Sequence, residues 1–575
     1  MKSKLTIVLC VVFSIFISHD ALAQKPEYLT MKPMFQMTSV TAKAVSVRAT
    51  GKVKVPLITW GGDVADVYAG KYGIFTDEGL DIELFLENNF LKQVEGCLSG
   101  ETPYLRGTMG MINSAAEIFQ RNNLELVVIY QKTWSTGGDA MVVRPGKNLA
   151  NIKSVAIQQY GPHMDYVAKL FKDKKRNLKD ISFKWLRELT VDYPEAGQKV
   201  LDPVSAFPAD TGLDATMCII PDALALTSGG NVGDGSAGTV KGAEILLSTL
   251  TAGTIISDVI AVRKDWFDAN KGHAQKLTHA LFRAEEDLRD LLKNKDTRQA
   301  DYRGLLSEAA AILWGTSAGG SEIEALLGDC TYVGYNGNVT FFTGKGTTRN
   351  FKTLTDEIQA SFIEMGIMTK RVPLYQAEWN YSGMASGLKY ANVAAPAVVT
   401  PKFDTKKVAA AMEKKINVEA ESFGEKGTLF SIEVNFAPNQ NEFSESMYAS
   451  SFEEAMSLSQ TYSGALITVE GHSDPLGIQG AIAEGQSQPV INRMISRAKN
   501  LSLDRSNAVK TAFISYCKAQ GINIDESQFY AAGFGISNPK YKVIDTEAKW
   551  AANRRVVFRI MQVEAELTEF KPIKK

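Results

Sequence analysis

Short apolar runs alternate with amphipathic stretches along the first two-thirds of the chain. Apolar runs bounded by Gly, Pro and Asp are typical of buried strands, whereas apolar residues at three- and four-residue spacing predict helices. Strand, helix and strand in close succession indicate βαβ units and a parallel sheet. We expect strands at residues 55–60, 81–86, 108–112, 126–130, 140–144, 154–158 and 214–220.

The pattern becomes mainly helical between residues 264 and 368. Within that stretch, residues 274–292 and 351–365 carry apolar side chains on one helical face. Together with the preceding strands, these helices predict an α/β unit over residues 54–390.

A second pattern begins after an Ala-, Pro- and Val-rich linker at residues 391–427, which includes a lysine-rich helix at 405–416. Apolar and polar residues then alternate, as in a strand buried on one face. A separate mixed α/β domain is expected over residues 428–565, followed by a charged tail at 566–575. Its expected elements are strands at 430–436, 467–474, 528–532 and 555–561, and helices at 444–458 and 503–519, the last with Ser502 as N-cap.

The first residues have the pattern of an export signal. Lys2 and Lys4 precede the apolar residues 5–17, and an Ala-Leu-Ala sequence ends at Ala23. We therefore expect a signal peptide at 1–23, cleavage after Ala23 and export. Residues 24–53 are polar and unpatterned, and we expect a leader of low order there.

Composition narrows the class of protein only slightly. The chain has 575 residues, 45% hydrophobic and 22% charged, with a net charge of −1. This balance gives no reason to expect nucleic acid as a partner. The cysteines beyond the signal peptide are scattered singly and their pairing is open, so we expect no metal site and no cofactor. These are Cys97, Cys218, Cys330 and Cys517.

Two charged residues in the C-terminal part suit one ligand. Asp474 follows a predicted strand, and Arg505 lies in the expected first turn of a helix. A carboxylate can hold an ammonium group, and a guanidinium binds a carboxylate bidentately. The pair therefore favours a ligand that carries both groups.

Four ordered motifs surround this pair and resemble the OmpA-type peptidoglycan-binding domain. They are GHSDPLG at 471–477, LSLDR at 501–505, GFG at 533–535 and NRRV at 553–556. The resemblance implies that Asp474 and Arg505 hold the amine and carboxylate of diaminopimelate in the cell-wall peptide. It also implies roles for Asn553, Arg554 and Arg555.

This sequence departs from the family in two places. The connection between Asp474 and Arg505 is longer than usual, and Ala498 stands where the family has Asn. We expect the insertion to be a surface loop that leaves the site intact. The alternative is that it partly covers the pocket.

The N-terminal part resembles periplasmic type 2 solute-binding proteins of ABC transporters, nearest to the nitrate, sulfonate and taurine group. The resemblance covers residues 54–390. Besides the strand before Trp60, it rests on AGKYGIFTDEGLDIEL at 69–84, VVIYQKTWSTGGDAMVVRPG at 127–146 and GLDATMCIIPDALAL at 212–226. It implies the two-lobed type 2 fold, with a ligand cleft between the lobes and a crossing into the second lobe at 127–146.

Ligands of open α/β sheets bind at the carboxyl ends of strands, near helix N-termini. The alternative for each such position is an ordinary strand-to-helix turn, and Trp60 and Tyr160 suit a core equally well. Backbone N–H groups near Gly61 and Gly161 could cradle an oxyanion, whereas we expect His163 to be solvated. The candidate solute-binding residues are Trp60, Gly61, Gly62, Asp63, Asn113, Ser114, Trp134, Ser135, Thr136, Gln159, Tyr160, Gly161 and Asp222.

Taken together, these features predict a periplasmic substrate-binding component of an ABC-type uptake system. It would be held non-covalently on peptidoglycan in a Gram-negative-type envelope, with an ABC permease as a further partner. Phosphate, sulfonate, nitrate and an organic base all remain open as solutes, with a slight preference for an anion.

The alternatives are a wall-anchored sensor and a structural protein without a transport role. A stator-like motility protein would need an uncleaved N-terminal membrane helix. An enzyme is disfavoured because the few histidines form no ligand-spaced cluster.

Overall fold

The computed structural model describes residues 26–45, 51–190, 199–236, 238–392 and 428–561. The expected signal peptide, the lysine-rich helix at 405–416 and the tail lie outside these residues. The strands are β1 Val53–Leu57, β2 Ile82–Leu86, β3 Tyr104–Thr108, β4 Leu126–Ser135, β5 Asp139–Val143, β6 Ser154–Gln158, β7 Ser182–Leu186, β8 Ala215–Ile219, β9 Glu244–Ser248, β10 Ser257–Arg263, β11 Cys330–Tyr332, β12 Tyr375–Gln376, β13 Thr428–Asn435, β14 Leu466–Gly471, β15 Phe529–Gly533 and β16 Arg555–Met561.

Helices cover and connect these strands. They are α1 Val64–Lys71, α2 Ile74–Asp77, α3 Phe90–Ser99, α4 Met109–Arg121, α5 Met164–Asp173, α6 Pro203–Ala209, α7 Ile220–Leu226, α8 Lys264–Ala269, α9 Lys271–Lys293, α10 Gln299–Leu313, α11 Gly320–Gly328, α12 Gly334–Thr343, α13 Phe351–Glu364, α14 Tyr381–Met384, α15 Ala449–Thr461, α16 Leu476–Ala483, α17 Gln488–Ala519 and α18 Glu547–Asn553.

The first sheet has the order β11-β4-β10-β3, and β12 also pairs with β4. Strand β10 lies antiparallel between β3 and β4, while β1 and β2 form a separate parallel pair. Side chains of β4 alternate between two apolar clusters: Val127 and Ile129 face one, and Val128 faces the other. Because both faces of the strand are covered, its sequence is continuously apolar at this point.

The second sheet has the order β7-β6-β8-β5-β9, with β6 parallel to β7 and β8. The chain enters this sheet from β4 through residues 136–138 and returns to β10 through residues 249–256. The predicted crossing within 127–146 is thereby confirmed. We call the parts around the two sheets the first lobe (residues 53–135 and 257–392) and the second lobe (residues 139–248).

The start of α4 differs from expectation. Residues 108–112 were expected to be a strand, but β3 ends at Thr108 and a helix begins at Met109. The Thr108 hydroxyl accepts a hydrogen bond from the Met111 backbone N–H at 3.2 Å, which caps the helix. An apolar run of this length is compatible with a strand or a helix, and the Thr108 cap favours the helix.

The prediction of a low-order leader at residues 24–53 is also wrong for the part that the structure describes. Residues 26–45, here called the N-terminal strap, lie across both lobes. Leu29 N–H donates to the Trp185 carbonyl of the second lobe at 2.8 Å, and Lys43 N–H donates to the Leu98 carbonyl of the first at 2.9 Å. Between them, Met34 is only 1% exposed. The apolar residues of the strap are irregularly spaced, so the sequence has no helical or strand periodicity that would predict this packing.

The C-terminal sheet has the order β13-β16-β14-β15, with β14 parallel to β15 and the other pairs antiparallel. Helix α17 begins at Gln488, so the expected start at residue 503 is wrong and Ser502 lies in mid-helix. The insertion is not an irregular loop but α16 and the first half of α17. Pro489 in the first turn favours this earlier start because its fixed φ suits a first helical turn.

The C-terminal domain touches both lobes and the return crossing. The Thr254 hydroxyl donates to the Gln460 carbonyl at 2.6 Å, and the Tyr462 hydroxyl donates to Asp173 Oδ2 at 2.9 Å. Gly464 N–H donates to the Thr251 carbonyl at 3.0 Å. The linker therefore joins two parts that contact each other directly.

Candidate functional sites

A buried ion network lies where the first lobe meets the crossing segments. Arg106 Nη2 is 2.7 Å from Asp63 Oδ2, and Arg106 Nη1 is 2.9 Å from Asp258 Oδ1. The Thr133 hydroxyl donates to Asp258 at 2.8 Å and accepts from the Trp60 indole at 3.1 Å. Burial alone would lower the pKa of Arg106, but the two carboxylates raise it. Asp63 and Trp60 are thus engaged within the protein.

The expected oxyanion cradle at Gly61 and Gly62 is covered by the chain itself. A Cβ at Gly61 would lie 2.1 Å from the Leu326 carbonyl oxygen, and one at Gly62 would lie 2.9 Å from the Thr133 hydroxyl. The Tyr332 hydroxyl donates to the Gly61 carbonyl at 2.5 Å. Glycine is needed here for close packing rather than for an open binding turn.

The first crossing is held by short polar contacts. Ser135 Oγ donates to Asp139 Oδ2 at 2.6 Å, and the hydroxyls of Thr136 and Thr331 are 2.9 Å apart. Trp134 packs edge-on against Phe341 with ring centroids 6.0 Å apart. These three predicted residues therefore lie at the crossing between the lobes, where they fix its conformation.

Gln159, Tyr160 and Gly161 follow β6 as predicted, and the N-terminal strap covers them. The Tyr160 hydroxyl donates to the Lys32 carbonyl, and the Gln159 amide donates to the Thr30 carbonyl at 3.4 Å. A Cβ at Gly161 would lie 2.0 Å from Gln158 Oε1. The strap thus occupies positions where we expected a solute.

Asn113 and Ser114 do not lie at a helix N-terminus. Both are inside α4, where their side chains donate to the Met109 and Met111 carbonyls at 2.9 and 2.7 Å. Asn113 also accepts from Gln359 of α13 at 2.9 Å. They hold helices together, which corrects the expected cleft position.

His163 and Asp222 lie on the second-lobe side. His163 is fully buried rather than solvated, and its Nε2 is 2.8 Å from Asp139 Oδ1. Burial raises the pKa of Asp222, which is half-buried and has one carboxylate oxygen without a partner among the described residues. The His163–Asp139 pair ties the start of α5 to the first strand of the second lobe.

Asp165 is the residue that sequence reasoning missed. It lies in the first turn of α5 and is 4% exposed, and neither carboxylate oxygen has a hydrogen-bond partner among the described residues. A Cβ at Gly110 would lie 2.5 Å from Asp165 Oδ1, so the carboxylate meets the start of α4 across the lobe boundary. Burial raises the pKa of Asp165 to about 7. Its position four residues after the predicted turn at 159–161, in a helix start, was the available signal.

Arg505 is buried in the C-terminal domain and points at backbone oxygens. Its Nε donates to the Gln440 carbonyl at 2.8 Å, its Nη2 to the Ala437 carbonyl at 3.1 Å and its Nη1 to the His472 carbonyl at 3.3 Å. Among the described residues, no carboxylate forms an ion pair with it. Burial and the neighbouring Arg554 lower the pKa of Arg505 to about 10, while Asp474 opposes them.

Asp474 and Arg554 lie beside this guanidinium. Asp474 Oδ2 is 3.5 Å from Arg554 Nη1, and Oδ1 accepts from the Leu476 N–H at 3.2 Å. The side chain of Asp474 keeps 22% of its surface exposed. Three of the predicted residues, Asp474, Arg505 and Arg554, are therefore neighbours; Asp474 and Arg554 are partly exposed, whereas Arg505 is buried.

Asn553 and Arg555 hold the neighbouring chain. The Asn553 side-chain amide exchanges two hydrogen bonds of 2.9 Å with the backbone of Tyr541. Arg555 Nη2 donates to the Asn538 carbonyl at 3.4 Å, and its Nε is 3.8 Å from Glu433. Their part in the candidate site is to position the loop beside Asp474.

Three further features of the described residues concern metal binding, the cysteines and membrane-spanning helices. No group of three or more His, Cys, Asp or Glu side chains among them is arranged to hold a metal ion. Cys97, Cys218, Cys330 and Cys517 are free, and three of them are buried. Within the same residues, no helix is both long and apolar enough to cross a membrane.

No family model matches the chain, and no curated protein matches it. Solved structures do resemble it at low identity. The alkanesulfonate-binding protein from Xanthomonas axonopodis pv. citri, bound to MOPS, is 14% identical over 58% of this chain and 100% of that chain, with a TM-score of 0.36. The periplasmic nitrate-binding protein from Synechocystis PCC 6803 is 13% identical over 60% of this chain and 91% of that chain, with a TM-score of 0.37.

A further solved structure that resembles the chain is the ligand-binding component of an ABC-type import system from Staphylococcus aureus, with zinc bound. It is 11% identical over 58% of this chain and 99% of that chain, with a TM-score of 0.37. Scores this low establish neither a common family nor a common function. The described chain is a mixed α/β protein with four separate sheets.

Proposed function

We propose that this protein is an extracytoplasmic solute-binding protein that is tethered to the cell wall. Residues 54–390 bind a small solute between the two lobes and deliver it to an ABC permease, and no reaction is catalysed. The observation that carries the proposal is the double crossing between two sheets, at 136–138 and 249–256. Two lobes joined by such segments can close on a ligand by a hinge motion.

The tethering part rests on the C-terminal residues. Arg505 presents a buried guanidinium without an ion-pair partner among the described residues, and Asp474 lies partly exposed beside Arg554. A ligand with a carboxylate and an ammonium group would supply the complementary charges. The diaminopimelate of the wall peptide has both groups.

Sedimentation with purified sacculi tests the tether. The mature chain, residues 24–575, should pellet with sacculi, and Asp474→Asn or Arg505→Lys should weaken retention by about tenfold, the value of one charge-assisted hydrogen bond. Asp504→Asn removes the same charge from an exposed neighbour of Arg505 and should leave retention unchanged. If both site variants pellet as well as the parent, the assignment of Asp474 and Arg505 is wrong.

A wall-anchored sensor is the second candidate, and the N-terminal strap favours it. The strap bonds to Trp185 in one lobe and to Leu98 in the other, so it opposes lobe separation. A protein held closed in this way would present its state to a partner rather than release solute. Deleting residues 24–45 should then abolish partner signalling; for a transporter component it should leave solute binding in place and speed release.

A further inference from the structure

We propose that the solute carries a positive charge, such as an amine, a guanidine or a quaternary ammonium group, and that Asp165 is its counter-charge. This inference rests on the proposed solute-binding function and names the substrate class of the same site. It reverses the preference for an anion that helix N-termini alone indicated.

The first reason is the state of Asp165. Asp165 is 4% exposed and lies at the lobe boundary against Gly110. Neither carboxylate oxygen has a side-chain partner among the described residues, and the donors that act on it are the backbone N–H groups of Asp165 itself and Tyr166. A buried carboxylate without a partner is costly unless a cation or hydrogen-bond donor is supplied. A cationic solute supplies both.

The second reason is that the nearby cations are already engaged. Arg106 bridges Asp63 and Asp258. Arg349, which faces Asp165, donates to the Thr254 carbonyl at 3.1 Å and pairs with Glu357 at 2.7 Å. Both of these cations are therefore already engaged within the protein.

The third reason is that further negative charge lies along the same boundary. The Asp329 side chain approaches Gly137 and Gly138 of the first crossing, and its carboxyl faces Asp139. Burial raises the pKa of Asp329 to about 6, and Asp139 adds to the increase. Asp258 likewise faces Asp165. An anion placed here would meet carboxylates from both lobes.

The fourth reason is an aromatic ring beside Asp329. A Cβ at Gly138 would lie 2.5 Å from the Trp60 ring and 3.2 Å from Asp329 Cβ, so the ring and the carboxylate are neighbours across the crossing. The face of a Trp ring attracts cations. The turn at Gly61, expected to cradle an oxyanion, is instead covered by Leu326.

Titration calorimetry and thermal shift of the mature chain, residues 24–575, test the inference. The probes are putrescine, choline and arginine, set against nitrate, sulfate and methanesulfonate. At least one cation should bind and raise Tm, and the anions should not. Asp165→Asn should weaken that binding by about tenfold or more, since it removes a charge-assisted contact. Asp329→Asn should weaken it in the same direction.

The matched control is Asp180→Asn, an exposed carboxylate of the second lobe, which should leave the affinity within about twofold. Binding of an anion would overturn the inference while supporting a solute-binding function. Equal cation affinity for the parent and Asp165→Asn would overturn the role of Asp165. If none of the six probes binds, the proposed function itself falls with the inference.

Discussion

Replacing Asp165 by Asn should stabilise the protein at alkaline pH and leave it unchanged at acidic pH. Burial raises the pKa of Asp165 from an ordinary value of 3.8 to about 7. A difference of three pKa units corresponds to roughly 4 kcal/mol between the two protonation states. Because the carboxyl is almost fully buried, solvent screening removes little of this value.

The direction follows from proton linkage. Below about pH 3 the carboxyl is protonated in both the folded and the unfolded chain, so Asp and Asn cost nearly the same. As the pH rises toward 7, the unfolded chain loses this proton while the folded chain keeps it, and stability falls. Above pH 7 the folded protein bears the full cost of the buried charge, which the Asn variant avoids.

Thermal unfolding of the parent and the variant at pH 4.5 and pH 8 measures this difference. At pH 8 the variant should unfold roughly 5 °C higher, given the entropy of unfolding of a unit of this size, and at pH 4.5 the difference should shrink to about a quarter of this value. Asp180→Asn, at an exposed position, should show no pH-dependent difference. A midpoint difference that does not change with pH would refute the reasoning, because the carboxyl would then be ionised or partnered throughout.

Two further predictions concern packing. Gly471→Ala should destabilise the C-terminal domain by about 3 kcal/mol or more, because the new Cβ would lie 1.8 Å from the Ser502 carbonyl oxygen. Gly480→Ala, where nothing lies within 4 Å, should stabilise α16 by about 0.5–1 kcal/mol; equal midpoints for the two variants would contradict the close contact. Met34→Ala should cost about 2–4 kcal/mol and speed hydrogen exchange at the Leu29 and Lys43 amides, because it empties a buried position in the strap. The control Met447→Ala, 76% exposed, should do neither.

Strands buried on both faces were the most predictable elements. The run at 154–158 and the one at 555–561 have the expected limits, because an apolar sequence bounded by polar turns leaves few other possibilities. The amphipathic helix expected at 351–365 ends one residue earlier. Local sequence patterns therefore predict the limits of elements whose environment is uniform along their length.

Two misses have a common physical origin. The start of α17 at Gln488 and the course of the N-terminal strap depend on tertiary contacts rather than on a local period. Gly471 allows α17 to lie directly on β14, and the strap is held by backbone hydrogen bonds to Trp185 and Leu98. Backbone bonds of this kind leave little trace in the side-chain pattern.

The candidate sites divide in the same way. The motifs indicated that Asp474, Arg505 and Arg554 lie near one another, and the structure places them as neighbours, although Arg505 lies in the middle of α17 rather than in its first turn. At the lobe boundary, position along the chain identified the correct turns but not which partners their side chains have. Asp63 is neutralised by Arg106, and Tyr160 bonds to the strap, whereas neither carboxylate oxygen of Asp165 has a hydrogen-bond partner among the described residues. Which polar group stays without a partner depends on pairings between distant segments.

The contacts of the C-terminal domain bear on how the lobes could open. Tyr462 bonds to Asp173 in the second lobe, while Gln460 accepts hydrogen bonds from the backbone and hydroxyl of Thr348 in the first lobe at 2.6 and 2.7 Å. Gly464 bonds to Thr251 in the return crossing. A rotation about the two crossings would move Asp173 relative to Thr348, and the three-residue segment 460–462 could not then keep both contacts. If the lobes open as proposed, the C-terminal domain would have to release one of them, which would couple lobe motion to the part of the chain that carries Asp474 and Arg505.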